Sequence, residues 1–111
     1  MDITESRSAG TLVMTLNGRL DAASVQAFHE RLLNCIDGGA TSVLLDLALL
    51  DYISSAGLRS LLTAAKRLQA GDGRFAVCAL TGNVREVFQV SGFDTIIESH
   101  PDRATALLRL T

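Results

Sequence analysis

Two adjacent hydroxyls, Ser54 and Ser55, stand in the stretch Leu49-Leu50-Asp51-Tyr52-Ile53-Ser54-Ser55-Ala56-Gly57-Leu58-Arg59, where an apolar run gives way to a helical pattern. Serines at such a junction can cap a helix or accept a phosphoryl group. Backbone N–H groups in a first helical turn lack intrahelical partners, and the helix dipole adds roughly half a positive charge there, so a serine oxygen or a phosphate is stabilised. A phosphoserine at this point leaves the helix intact. Taken alone, the pair reads first as a plain N-cap and only second as a regulated site.

A nucleophile elbow is the enzymatic alternative, because strand, sharp turn, serine and helix describe it too. Gly57 fits the second glycine of glycine-x-serine-x-glycine, but Ile53 occupies the first position, where a β-branched side chain crowds the turn. The order Ser55, Asp94, His100 mimics a catalytic triad in sequence only. A chain of 111 residues leaves little room for a substrate pocket, and the expectation is no enzyme and no catalytic residue. His29 sits on a helical pattern as an exposed or packed side chain. No glycine-rich phosphate loop with lysine and no paired histidine ligands occur, so neither cofactor nor metal is expected.

The elements that must position the serines follow from periodicity. Ser42-Val43-Leu44-Leu45-Asp46-Leu47 reads as a buried strand, and Leu58, Leu61, Leu62, Ala65 and Leu68 recur at helical spacing over about 56–70, with Gly71-Asp72-Gly73 as the stop. Upstream, Thr11-Leu12-Val13-Met14-Thr15-Leu16 pairs with the segment near Ile3 through the polar turn Ser6-Arg7-Ser8-Ala9-Gly10. Asp21 then caps a helix with Val25, Phe28, Leu32, Leu33 and Ile36 on one face, ending at Gly38-Gly39. Downstream come a strand at 74–80, a helix opened by Asn83 that carries Val84, Val87, Phe88 and Val90 and is closed by Gly92, and a brief strand at Thr95-Ile96-Ile97. A last helix starts on Pro101 and presents Ala104, Leu107 and Leu108. Strands alternating with helices after a hairpin imply an α/β sheet of about five strands, parallel beyond the hairpin, with about four helices. Residues 1–111 are read as one domain.

Composition narrows the partners. With 48% hydrophobic and 20% charged residues, the chain is an ordinary globular one. Its length allows burial of roughly two-thirds of the unfolded surface. Net charge is −2 and the ten cations are scattered, without the basic stripe and interleaved aromatics that nucleic-acid binding needs. Cys35 and Cys78 stand alone in apolar patterns and read as packed thiols suited to a reducing compartment. No apolar run approaches the ~20 residues of a bilayer span, so a cytoplasmic location without membrane insertion is expected.

Three ordered motifs, Leu16-Asn17-Gly18-Arg19-Leu20-Asp21, Leu44-Leu45-Asp46-Leu47 and Tyr52-Ile53-Ser54-Ser55-Ala56-Gly57-Leu58, resemble the STAS domain family over nearly the whole chain. The likeness is to its single-domain anti-sigma factor antagonists of bacteria, or anti-anti-sigma factors. The resemblance implies a mixed sheet of about five strands with about four helices packed mainly on one face. It also implies phosphorylation of a serine in the corresponding loop. That loop in the family commonly reads aspartate-serine-serine or aspartate-serine-threonine before glycine-leucine. Aligned on the glycine, the phosphorylated serine falls on Ser55, with Ser54 as the alternative; the family's aspartate falls on Ser54 and its following hydroxyl on Ala56.

The function so implied is partner switching. Unphosphorylated, a surface formed by Asp21, Asp46, Ser54, Ser55, Ala56, Gly57, Leu58, Arg59, Thr63 and Lys66, with Arg67 beside it, docks on an anti-sigma factor that has serine kinase activity and frees the sigma factor. Phosphorylation of Ser55 then adds nearly two negative charges and breaks the complex. A serine phosphatase resets the cycle. Structural readings stand beside each role: Asp21 as a helix cap, Asp46 as a strand-end acceptor, Gly57 as a packing glycine, and Arg59, Lys66 and Arg67 as a solvated face. The competing function is a non-phosphorylated STAS subunit of a membrane transporter, a lipid-transport complex or a larger signalling assembly.

Overall fold

The computed structural model describes residues 1–110. Strands β1 (Asp2–Ser8) and β2 (Thr11–Leu20) form an antiparallel hairpin. Its turn is only Ala9 and Gly10, both left-handed at φ 50° and 84°, the geometry that matches the twist of paired strands. The longer turn expected over 6–10 is thus mostly strand, with Ser6, Arg7 and Ser8 paired to Val13, Leu12 and Thr11.

Helix α1 (Val25–Asp37), strand β3 (Ser42–Ile53), helix α2 (Ser55–Ala70), strand β4 (Arg74–Cys78), helix α3 (Gly82–Ser91), strand β5 (Glu98–His100) and helix α4 (Arg103–Leu110) follow. The strands lie in the order β1-β2-β3-β4-β5, and every pair after the hairpin is parallel. The mixed α/β architecture is the one expected. Both central strands run further than the apolar pattern suggested, because β2 and β3 stay paired past two register shifts up to Leu20 and Ile53. This extension carries the end of β3 directly into the serine turn.

Helices α1, α2 and α3 cover one face of the sheet. Phe28, Leu32, Leu58, Leu61, Leu68, Val84 and Phe88 close over Leu16, Leu45, Leu47 and Val77 there. The other face is covered by α4, whose Ala106 and Leu110 meet Val13, Leu44, Ala76 and Cys78.

Several local expectations are corrected. Helix α1 starts after Ser24, and Asp21 instead organises the preceding turn; Leu33 is half-exposed, off the packed face. Thr81, not Asn83, precedes α3, and Val90 is 83% exposed. The segment at Thr95-Ile96-Ile97 is mostly a 3-10 turn (Phe93–Thr95) and its exit, so the last strand falls three residues later. Pro101 lies outside α4, where the Asp102 carboxylate accepts the Thr105 N–H at 2.7 Å. Ala104 and Leu108 are exposed and Ala106 and Leu110 are buried, because α4 packs on the opposite face of the sheet from the other helices.

Candidate functional site

At the start of α2 the two serines have divided roles. Ser54 is extended (φ −84°, ψ 169°), its Oγ accepts the Gly57 N–H at 3.1 Å, and its carbonyl accepts the Leu58 N–H at 2.9 Å. It is the N-cap. Ser55 is the first helical residue, exposed, and its hydroxyl makes no hydrogen bond to any described residue. The Ser54 N–H donates to the Leu20 carbonyl at 2.9 Å, which ties the end of β2 to the serine turn. Gly57 is buried against both: a Cβ there would lie 2.9 Å from Ile53 Cγ1 and 3.0 Å from Leu20 Cγ.

Two grooves flank the exposed edge of α2. One, of about 420 Å³, runs between α2 and α3 and is lined by Ser55, Leu58, Glu86, Val87 and Val90 among others. Val90, one of the apolar residues of the α3 repeat, is 83% exposed at this groove, which the sequence did not signal. The second, of about 240 Å³, lies between α1 and α2 and is lined by Ala56, Arg59 and Thr63 together with His29 and Ser60. His29 Nδ1 is 2.7 Å from the buried Ser60 hydroxyl, which joins the two helices. Thr63 Oγ1 donates back to the Arg59 carbonyl at 2.9 Å. The charged ends of Arg59 and Lys66 have no ion-pair partner among the described residues, whereas Arg67 is held by Asp37 at 3.1 Å. Arg67 therefore braces α1 against α2.

The two aspartates part company. Asp21, in the turn leaving β2, accepts the N–H groups of Ala23 and Ser24 at 3.1 and 3.2 Å and the Ser24 hydroxyl at 3.1 Å. The Ser24 hydroxyl chiefly, then these N–H groups and Arg19 at 3.8 Å, hold its carboxyl below the usual range. Arg19 stacks on Tyr52, 4.3 Å above the ring, so the ends of β2 and β3 are joined on this side as well. Asp46 is elsewhere. Its Oδ1 accepts the Ala48 N–H at 3.1 Å and its Oδ2 meets Arg103 of α4 at 2.9 Å, on the sheet face away from α2. Arg103 also donates to Thr15 Oγ1 at 2.7 Å. No spacing signal pointed to Arg103, since 57 positions separate it from Asp46.

The triad mimic is not assembled. His100 Nε2 sits 2.6 Å from Glu98, and no hydrogen bond links Ser55, Asp94 and His100 among the described residues. What the site offers is an uncommitted hydroxyl on a helix start, between an apolar groove and a basic edge.

The profile of the STAS domain matches residues 2–106. This chain belongs to the STAS domain family. BtrV of Bordetella bronchiseptica, a candidate anti-sigma factor antagonist, is 40% identical over 106 residues, covering 96% of this chain and 91% of BtrV. A candidate anti-sigma factor antagonist from Thermotoga maritima superposes with a TM-score of 0.93 at 16% identity, over 97% of this chain and 93% of that one. The Bacillus cell fate determinant SpoIIAA in its phosphorylated form gives 0.77 at 24% identity, over 99% and 100%. These two structural matches establish the STAS fold. Within it, Ser54 caps α2 about as well as an aspartate would, since serine and aspartate are near-equal N-cap residues. Among the described residues of this STAS chain, no helix is long and apolar enough to cross a membrane.

Proposed function

We propose that this chain is an anti-sigma factor antagonist switched by phosphorylation of Ser55. The observation that carries the reading is the state of that hydroxyl: exposed, free of hydrogen bonds to described residues, and next to a serine that already caps the helix. The relative BtrV, 40% identical, has anti-sigma factor antagonist in its name.

In the unphosphorylated state the exposed edge of α2, with Ser55, Arg59, Thr63 and Lys66, docks on an anti-sigma factor that is also a serine kinase, and the sigma factor is released. Ser55 Oγ then attacks the γ-phosphorus of ATP, loses its proton and expels ADP. The phosphoserine brings nearly two charges and a hydration shell into a surface that must be desolvated on docking, so the complex separates. Helix α2 tolerates the group because its first-turn N–H groups and dipole favour negative charge. A serine phosphatase restores the hydroxyl by hydrolysis. The chain acts in the cytoplasm as a single domain, a substrate of both enzymes and a catalyst of neither.

The test is phosphopeptide mapping after incubation with ATP and native cell extract, beside a Ser55→Ala control. Stoichiometric phosphate on Ser55, absent from the control, is the expected result. Phosphate on Ser54 would move the switch by one residue. No phosphate, with the extract active on another substrate, would leave a constitutive binding module.

A further inference from the structure

Adjacent parallel strands β4 and β5 send the chain to opposite faces of the sheet. From β4 it enters α3, whose Val84 and Phe88 join the larger core; from β5 it enters α4, whose Ala106 and Leu110 join the smaller one. Helices α1 and α2 pack on the same face as α3, so among the described strands this is the one place where neighbouring connections diverge. Such a divergence opens a crevice at the carboxyl ends of the strands, the place where open α/β sheets receive ligands. A cavity of about 420 Å³ lies there, walled by Leu80, Thr81, Arg85, Ser99, His100 and Pro101.

The lining selects for an anion. It has no carboxylate, but it has a guanidinium, an imidazole and two hydroxyls. Arg85 has no ion-pair partner among the described residues, and the Thr81 side chain does not cap α3. Three acids adjoin the lining in sequence, and none lines the crevice: Arg74 holds Glu98 through two bonds of 2.7 and 2.9 Å with His100 2.6 Å away, Asp102 accepts the Thr105 N–H at 2.7 Å, and Glu86 lines the groove beside Ser55. The floor is fixed by the Ala79 N–H, which donates to the His100 carbonyl at 3.1 Å.

We propose that this crevice binds the phosphoryl group of a small molecule. The forked donors of Arg85 match a phosphate in two-point fashion, and the hydroxyls of Thr81 and Ser99 reach it from the two strand ends. A carboxylate offers fewer acceptors to donors spread over two walls. The site is separate from Ser55: α3 stands between them, turning Arg85 to the crevice and Glu86, Val87 and Val90 to the groove beside Ser55.

Amide NMR spectra of the full chain, titrated at constant ionic strength with inorganic phosphate and separately with glycerol phosphate, test this. Saturable shifts confined to residues 80–85 and 99–100 are expected, and Arg85→Ala weakens them by at least about tenfold while Arg85→Lys retains part of the binding. Tighter binding of the ester identifies a phosphomonoester ligand; equal binding identifies free phosphate. Shifts that do not saturate, that centre on Arg59 and Lys66, or that survive unchanged in Arg85→Ala overturn the proposal. Arg85 is exposed, so unchanged signals elsewhere confirm that the variant is folded.

Discussion

Gly57 and Ile53 lie so close that a Cβ on the glycine would stand 2.9 Å from Ile53 Cγ1. That atom is mid-chain in a side chain only 3% exposed, and Leu20, fully buried, closes the other side, so neither neighbour has room to give. Gly57→Ala gains about 1 kcal/mol of helix propensity and loses about 1–3 kcal/mol to overpacking. The net expectation is a less stable protein, with α2 pushed off the end of β2. A denaturant melt reads the sign; a stabilised Gly57→Ala would mean that α2 shifts at no cost.

Ser54→Ala removes the acceptor for the Gly57 N–H and costs about 1 kcal/mol, whereas Ser54→Asp keeps the cap and adds a favourable charge at the helix start, worth about 0.3–1 kcal/mol. Urea midpoints should therefore rank aspartate at or above serine, with alanine lowest. Alanine equal to serine would deny Ser54 its capping role.

The serine turn was legible in the sequence because capping is local: the strand, the hydroxyls and the helical repeat lie within a few residues of one another. The α2 face was legible for the same reason, with Leu58, Leu61, Ala65 and Leu68 buried at the expected spacing and Leu62 alone of the expected five only partly buried. What failed depends on distant contacts. Strand β5 reads Glu98-Ser99-His100, polar residues that become a strand only by pairing with β4, while the β-branched pair Ile96 and Ile97 that suggested one falls just after a 3-10 turn. Of Ala104, Leu107 and Leu108 in helix α4 only Leu107 packs on the core, because the packing surface of α4 is set by β3 and β4, far away in the chain. Val90 fits an apolar helical repeat, yet α3 is only partly covered and leaves it at the rim of the groove.

If Ser55 is the switch, Ser55→Asp should weaken binding to the anti-sigma factor by about tenfold or more, while Ser55→Ala binds as the wild type does and is refractory to release by ATP. Calorimetric titration of the purified pair measures both. Equal affinity for the aspartate and alanine variants would rule out charge at 55 as the control.

Burial, then the nearby Asp46 charge, pushes the Cys78 thiol up to about 12 from an ordinary value near 9. The sign follows from proton uptake. Below pH 9 both folded and unfolded states keep the proton; from 9 towards 12 the unfolded chain loses it first, so stability falls as pH rises, by at most about 1.4 kcal/mol per pH unit from this group. Urea melts across that window should show a flatter alkaline limb for Cys78→Ala than for the wild type. Parallel limbs would mean that the thiol ionises alike in both states.

Arg103 clasps α4 to the sheet through Asp46 at 2.9 Å and Thr15 at 2.7 Å, and Cys78 lies fully buried beneath that helix. Deleting the cation leaves a 12% exposed carboxylate without its partner, a larger loss than that of an exposed ion pair. Arg103→Ala should cost about 2–3 kcal/mol, and Asp46→Ala should cost less than that, because the Arg103 it frees is 43% exposed and can turn to water. Since α4 buries only Ala106 and Leu110 of its own, the loss should appear first as local opening, read by faster labelling of Cys78 with a thiol reagent well below the global unfolding midpoint. Labelling of Cys78 that tracks global unfolding in the variant, as in the wild type, would show that apolar packing alone holds α4 and that the clasp only orients it.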